Sequence, residues 1–402
     1  MATLSIDKSN WELVRLGDVA HEVRESLTKS DVQVDRSVGL EHIEPGDLHI
    51  RAWDELDESS SFTKVFKEGH VLFGRRRAYL KKAALADFNG VCSGDITVIS
   101  ADEDLLPSLL PFVVSSDRFF AFAVEHSAGG LSPRVKWKDL ANYEFLLPPK
   151  DQQAEIAELL WAMDEAIQAQ ISLSNKLMRS METIRNQFMI SGRSESPVLV
   201  KTKIGLADKH LPLVQLRELL CEKPSYGANA PSRTMRSGDV RYIRITDIDD
   251  YGNLSASDAV SIDADDFSNY ILEEGDILIA RTGNTVGKSY LHEELPGIFV
   301  FAGYLIRFRL KRDLLLPKFL YYFTKSVKFD RFKRRTIKVG AQPNINSEEY
   351  QDMWMPKFSM SDQLFLLEKL KPLETASDDV EASILSAASV RLAILQEIFA
   401  DV

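Results

Sequence analysis

The run richest in potential chemistry is GNTVGKS at residues 283–289. Closely spaced glycines with a lysine and a serine are what a phosphate cradle needs: backbone N–H groups and an ammonium for the anion, and a hydroxyl for its metal. A P-loop sets four residues between its first glycine and the Gly-Lys pair. Here Gly283 and Gly287 have three between them, and Thr282 stands where the first glycine belongs. The matching run in the first half of the chain, RRRAYLKKA from Arg75, keeps cations but no glycine arc. A duplicated nucleotide site therefore fails. A nucleotide-binding enzyme remains as an alternative, and it requires nucleotide binding that is lost on Lys288→Ala.

The same segment is coherent as a loop facing nucleic acid. A strand over 276–280 would deliver Arg281, Thr282, Asn284, Thr285 and Lys288 to one turn. Arginine can bond guanine with two parallel N–H groups, asparagine can do so with adenine, and lysine and threonine suit phosphates. In the first half Arg75, Arg76, Arg77, Tyr79, Lys81 and Lys82 hold the equivalent place. A second matched pair of loops adds Ser132, Arg134 and Lys136 on one side and Gln342 and Asn344 on the other. Arg334, Arg335 and Lys338 close the basic run before the latter. For each of these, a solvated surface position is the plain alternative.

Other chemistry is sparse. There is no GxSxG elbow, no HExxH pair, no N/D-P-P-F/Y run and no PD-(D/E)xK cluster. Asp87 and Asp95 are carboxylates that distant partners could complete. The seven histidines fall in no metal-ligand spacing, so no metal is expected. Two cysteines, Cys92 and Cys221, are too few for a disulfide framework and fit a reducing compartment. No apolar run reaches the roughly 18–20 residues of a membrane span, and the start of the chain lacks a secretory pattern.

The elements that must position these loops are duplicated. ELVRLGDV (12–19) aligns with PLVQLREL (212–219), and EGHVLFGRR (68–76) with EGDILIART (274–282). LPSLL (106–110) then aligns with LPKFL (316–320), and GGLSPRV (129–135) with VGAQPNI (339–345). Four weak matches in one order indicate two diverged copies of a unit. Short β-rich runs (HVLFG, DITVIS, VRYIRIT, DILIA, YLIRFRL) interleave with helical patterns over 109–125 and 317–333. The fold class is thus α+β, in two tandem domains.

Each copy ends in a long helical pattern. Ile156, Leu160, Met163, Ile167, Leu177, Met181, Ile184 and Phe188 alternate by four and three, with Gln170 and Ser174 in the slots between. Val380, Ile384, Ala387, Ile394 and Ile398 follow the same rhythm. These are heptad seams, and two in one chain pair most simply as an antiparallel coiled coil. Packing on a partner protein, or on an ordinary core, would leave the same pattern. The expected boundaries are a first domain over 1–150, a spacer helix over 151–192, a polar connector over 193–210, a second domain over 211–358 and a spacer helix over 359–402.

The formal net charge of −11 looks wrong for a nucleic-acid binder, but it is unevenly spread. From Arg307 to Lys338 there are twelve Lys or Arg against Asp313 and Asp330. Phosphate contacts are local, so basic patches on an acidic body can still bind DNA.

At this point the chain resembles the specificity subunit of type I restriction-modification systems. The residues that carry the resemblance are WELVRLGDV (11–19), GHVLFGRRRAYLKK (69–82), GVCSGDITVI (90–99), LLPPKDQQAEIAELL (146–160), GDILIARTGNTVGK (275–288) and AQPNIN (341–346). MPKFSMSDQ (355–363) lacks the double proline of its counterpart, which leaves the start of the second helix less defined. The resemblance implies two target-recognition domains set apart by two long helices in a pseudo-twofold arrangement. Each domain would read one half of a bipartite, asymmetric DNA site, and the helices would act as a ruler and dock two methyltransferase subunits. Restriction subunits would join in some systems. Adenine methylation and cleavage, with S-adenosylmethionine, ATP and Mg, would belong to those partners, and this chain would bind no cofactor. A cytoplasmic protein of bacteria or archaea is implied. A scaffold that bridges proteins without touching DNA is the second alternative, and it requires no salt-sensitive DNA affinity.

Overall fold

The computed structural model describes residues 7–27, 34–56, 61–255, 258–264, 266–337 and 342–399. The chain forms two compact units, Met1–Ser172 with Glu381–Val402, and Leu173–Val380.

The first unit is built on a sheet of Ala20–Glu22, Ile96–Ala101, Val71–Gly74 and Ala83–Leu85, in that order. Val71–Gly74 is buried along its whole length, which is why VLFG shows no in-out alternation in sequence. A second sheet orders Asp54–Glu55, Arg36–Val38, Gly90–Cys92 and Lys64–Phe66, with Arg36–Val38 parallel to Gly90–Cys92. Glu12–Arg15 pairs antiparallel with Glu144–Leu147 and returns the chain to the start of a helix at Lys150.

The second unit repeats the first sheet strand for strand: Ser225–Tyr226, Leu305–Phe308, Ile277–Ala280, Ser289–Leu291. Leu213–Gln215 pairs with Trp354–Pro356 as the counterpart of the short pair. The other sheet has diverged: its order is Ser232–Thr234, Val260–Ile262, Arg241–Ile243, Phe299–Phe301. The parallel pair survives there, as Arg241–Ile243 against Phe299–Phe301.

Each continuous helical pattern proves to be two helices. Leu110–Ser115 gives way to Asp117–Glu125, and Pro317–Thr324 to Val327–Thr336. The break is a serine in extended backbone at matched positions. Ser116 accepts from the Phe119 N–H and Ser326 from the Phe329 N–H, restarting the helix by N-capping. Aromatic side chains fill the cores beneath, with Phe73, Phe112, Phe119, Tyr143 and Phe145 in one unit and Phe308, Phe319, Phe323, Phe329 and Tyr350 in the other.

Two long helices, Lys150–Ser191 and Met360–Ile398, cover most of the remaining chain. A glutamine near the start of each is almost fully buried. Gln153 Oε1 accepts from the Leu106 N–H, and its amide nitrogen donates to the carbonyls of Asp104 and Pro148. Gln363 does the same with Leu316, Leu314 and Phe358. All four positions match at one offset, so each helix is clamped onto its own unit by the same three hydrogen bonds. MPKFSMSDQ therefore starts a helix, at Met360, without the double proline.

Within the first unit the helical segments run antiparallel. Gln170 Nε2 donates to Ser383 Oγ at 2.9 Å, and Arg391 reaches back to Asp164. In the second unit Met181, Ile184 and Phe188 share a core cluster with Leu366 and Leu370. Every expected seam position lies at least partly covered, with Leu160, Ile167, Phe188 and Ile398 buried. Asp164, which the apolar pattern passed over, is fully buried; its carboxylate takes Arg391 on one oxygen and His49 Nε2 at 2.7 Å on the other. The expected connector is not irregular. Leu199–Thr202 and Gly205–Asp208 form a hairpin, held to the second unit by Lys328 and Arg335, which donate to the carbonyls of Leu206 and Lys203. Among the described residues no helix is long and apolar enough to cross a membrane.

Candidate nucleic-acid interface

In each unit the central buried strand runs out into the loop singled out in sequence, and a second loop is laced onto it by the same backbone bonds. Arg75 N–H donates to Asp95 O, and Val135 N–H to Arg75 O; Arg281 N–H donates to Tyr304 O, and Ile345 N–H to Arg281 O. Arg77 N–H meets Pro133 O as Gly283 N–H meets Pro343 O. Arg76 bridges Arg134 as Thr282 bridges Asn344. The sequence alignment of these four loops therefore holds atom for atom in the backbone, and both pairs of predicted loops come together.

The side chains do different work in the two units. In the first, Asp95 organises the cations: Arg134 Nε donates to it at 2.7 Å and Arg76 at 3.2 Å. The hydrogen bond from Arg134 holds the Asp95 carboxyl below its usual range. Arg76 and Arg77 both reach Ser132 Oγ. Asp95, considered above as a catalytic carboxylate, is thus engaged by two guanidinium groups. Arg77 and Lys81 adopt left-handed backbone, φ +54° and +51°, on either side of the turn Ala78–Leu80. A non-glycine residue there costs on the order of 1 kcal/mol, and such strain gathers where a loop must present particular side chains. What this turn presents is Tyr79, which is exposed, while Lys81 pairs with Asp117. Lys136 is exposed.

In the second unit Gly283–Thr285 is a single turn between Ile277–Ala280 and Ser289–Leu291, which pair antiparallel. A P-loop instead opens a helix whose N-terminus meets the phosphate. The hairpin excludes that geometry. Lys82 and Lys288, both expected to face DNA, have another task. Their ammonium groups bond the carbonyls of Leu40 at 2.7 Å and Ile248 at 3.1 Å, and Lys288 also pairs with Asp250. They tether matched turns to matched loops. Thr285 Oγ1 donates to the Thr282 carbonyl, while Asn284, Gln342 and Asn344 are exposed.

The basic run from Arg307 to Lys338 is not one patch. Arg307 and Arg309 lie against Asp276, Glu222 and Glu273, Lys318 pairs with Glu374, and Lys333 with Asp330. Burial pushes the Lys325 and Lys328 ammonium groups down to about 8. Lys328 bonds a carbonyl, as does Arg335, and Arg334 is exposed. Lys338 lies outside the described residues. The run is basic because strand, loop and two helices each need cations locally, which charge counting along the chain cannot distinguish from a patch.

Sequence reasoning missed three side chains that line a concavity beside Arg281: Tyr226, Asn229 and Tyr304. They come from a strand, a loop and a turn remote in sequence, and no local motif marks them. It also found no metal-ligand spacing, whereas folding brings Glu41, His42 and Asp54 within 4.8 Å of one another. His42 Nδ1 accepts from the Gly39 N–H, so in the neutral ring Nε2 carries the proton toward Asp54, 3.7 Å away. That tautomer suits a hydrogen-bonded turn.

Known proteins share this architecture. The family model described as the type I restriction modification DNA specificity domain matches residues 8–177 and 221–353, more than half of the chain. The type I restriction enzyme EcoDI specificity subunit of Escherichia coli is 25% identical over 243 residues, 56% of this chain and 51% of that subunit, so the match spans about half of that relative. The MjaVIII specificity subunit of Methanocaldococcus jannaschii is 22% identical over 91% of this chain and 86% of its own length. In fold, the solved S subunit of a type I system from M. genitalium aligns with a TM-score of 0.60 at 15% identity, covering 100% of this chain and 99% of that one. A chain solved in a study of complex assembly and conformational transition of the type I R-M system aligns at 0.55 and 20% identity, over 98% of both. With two laced loop pairs on two copies of one unit, and the family model matching both, the chain belongs to the type I restriction-modification DNA specificity family.

Proposed function

We propose that this chain is the DNA-reading, non-catalytic subunit of a type I restriction-modification enzyme. Each unit reads one half of a bipartite site through its laced loop pair, and the long helices set the gap and dock two methyltransferase subunits. Restriction subunits, where the system has them, join that assembly. Adenine methylation and cleavage, and the S-adenosylmethionine, ATP and Mg they require, belong to those partners, and this chain holds no cofactor.

The observation that carries this reading is that the backbone lacing of the loops is the same in both units while the side chains differ. One scaffold holds Arg76, Arg134 and Asp95 in the first copy; the second has Thr282, Asn344 and Tyr304 in their places. A duplicated scaffold with divergent reading loops suits two unlike half-sites. The exposed, acid-bearing outer faces of the long helices suit protein contact better than DNA contact.

The test is a domain replacement. Exchanging residues 211–358 for the second domain of a family member with a known target, and assaying the complex with its methyltransferase subunits, should change one half of the modified site. The other half should stay as it was. A change in both halves, or in neither, would overturn the assignment of one half-site to each unit.

A further inference from the structure

Resting on that reading, we infer that the concavity beside Arg281 is a guanine-reading pocket, and that Arg281 is the base-specifying residue of the second unit. The pocket holds about 390 Å³ and is lined by Tyr226, Gly227, Asn229, Arg281, Thr282, Gly303 and Tyr304. That volume is in the ~300–1,000 Å³ range of sites that take small planar ligands.

Arg281 is pre-positioned and unspent. Its guanidinium carbon lies 4.8 Å from the centre of the Tyr226 ring, stacking the fork on an aromatic face. That ring is itself fixed, because the Tyr226 hydroxyl donates to Ser347 Oγ and accepts from the Ser347 N–H. Among the described residues the Arg281 side chain makes no hydrogen bond or ion pair. Its Nε is shielded from solvent without a partner, and the terminal nitrogens are not. Arg76 and Arg134 are instead committed to Asp95, and Arg77 to Ser132; Arg75, the backbone counterpart of Arg281, shares its orphaned Nε but has Asp95 where Arg281 has Tyr304.

The lining favours a base over a phosphate. A phosphate site gathers backbone N–H groups or several cations. Here the N–H groups of Gly227, Gly303 and Arg281 are already taken by the carbonyls of Leu305, Ala228 and Tyr304. Among the described residues Arg281 supplies the one charge in the lining. Two exposed tyrosine rings and a planar fork instead suit a flat ligand that presents two acceptors side by side. Guanine does so with O6 and N7, whereas adenine pairs one acceptor with one donor. Two glycines let the walls approach this closely: a Cβ on Gly303 would lie 2.5 Å from Asn229 Oδ1, and one on Gly227 2.3 Å from the Ala302 carbonyl oxygen. In the first unit Asp95 stands in the place of Tyr304 beside Arg75, so the wall that Tyr304 gives this pocket belongs to the second unit.

The experiment measures binding of the complex with its methyltransferase subunits to its methylated target duplex. It is compared with duplexes in which each G·C pair of the half-site read by the second unit is replaced singly by A·T. Arg281→Lys keeps the charge but not the fork, and Arg281→Ala removes both. The pocket predicts that both variants lose about 10- to 100-fold on the target and that discrimination disappears at one G·C pair, with the other positions unchanged. Equal loss on every duplex with a flatter salt dependence, or unaltered discrimination in a variant of wild-type circular dichroism, would overturn it. If the wild-type complex itself showed no preference for its target, the specificity reading would fail instead. Tyr304→Ala, on an exposed side chain, repeats the test without touching the core.

Discussion

Asp95 shows how one side chain converts a run of like charges into a defined surface. Its carboxylate is held low chiefly by the hydrogen bond from Arg134, with Arg76 adding to it. A carboxylate lowered in this way contributes its pairing above its ordinary value, near 3.9, and loses it only as pH falls through the lower folded value. Selective binding at the first half-site should therefore be flat between pH 5 and 8. Asp95→Asn should erode selectivity at that half-site while far-UV circular dichroism stays unchanged; a titration of binding with a midpoint near 6 would contradict the assignment. The thiols offer a separate check. Cys92 is buried, which pushes it up to about 12, whereas Cys221 is exposed. Labelling with a thiol reagent at pH 8 should modify one cysteine in the native chain and two in denaturant.

Besides their apolar faces, the long helices dock through polar groups that an apolar pattern cannot reveal. Replacing Gln153 or Gln363 with Ala would take the glutamine from one buried carbonyl and from a part-buried N–H and carbonyl. At about 1–3 kcal/mol for each unsatisfied group, partly relieved by water, either variant should lose roughly 3 kcal/mol in urea unfolding. Asp164→Ala should be comparably severe, at about 3–5 kcal/mol, because it leaves Arg391 without its carboxylate beside a buried seam. Replacing Asp164 and Arg391 together with Leu should be milder than either single change.

The two long helices, the central strands and the four-loop repeat were legible in sequence because each rests on local periodicity or on duplication. The breaks at Ser116 and Ser326 are local N-caps, hidden because the apolar pattern runs on across them. The buried Asp164 and the glutamine clamps were not legible either, since each depends on a partner far along the chain. The same limit applies to the site. The loops that would face DNA could be named, but Lys82 and Lys288 turned out to tether them, and Tyr226 and Tyr304 reach Arg281 only after folding.

For the molecule as a whole, one scaffold occurs twice with different loop side chains, and if these read DNA the modified site should record that asymmetry. Mapping N6-methyladenine across a genome by single-molecule sequencing, with and without this gene and beside its methyltransferase genes, tests that most directly. Methylation confined to one split motif with unlike halves, absent when the gene is absent, is the expected result. A palindromic motif, or a methylation map indifferent to the gene, would contradict the reading of this chain as the subunit that chooses the site.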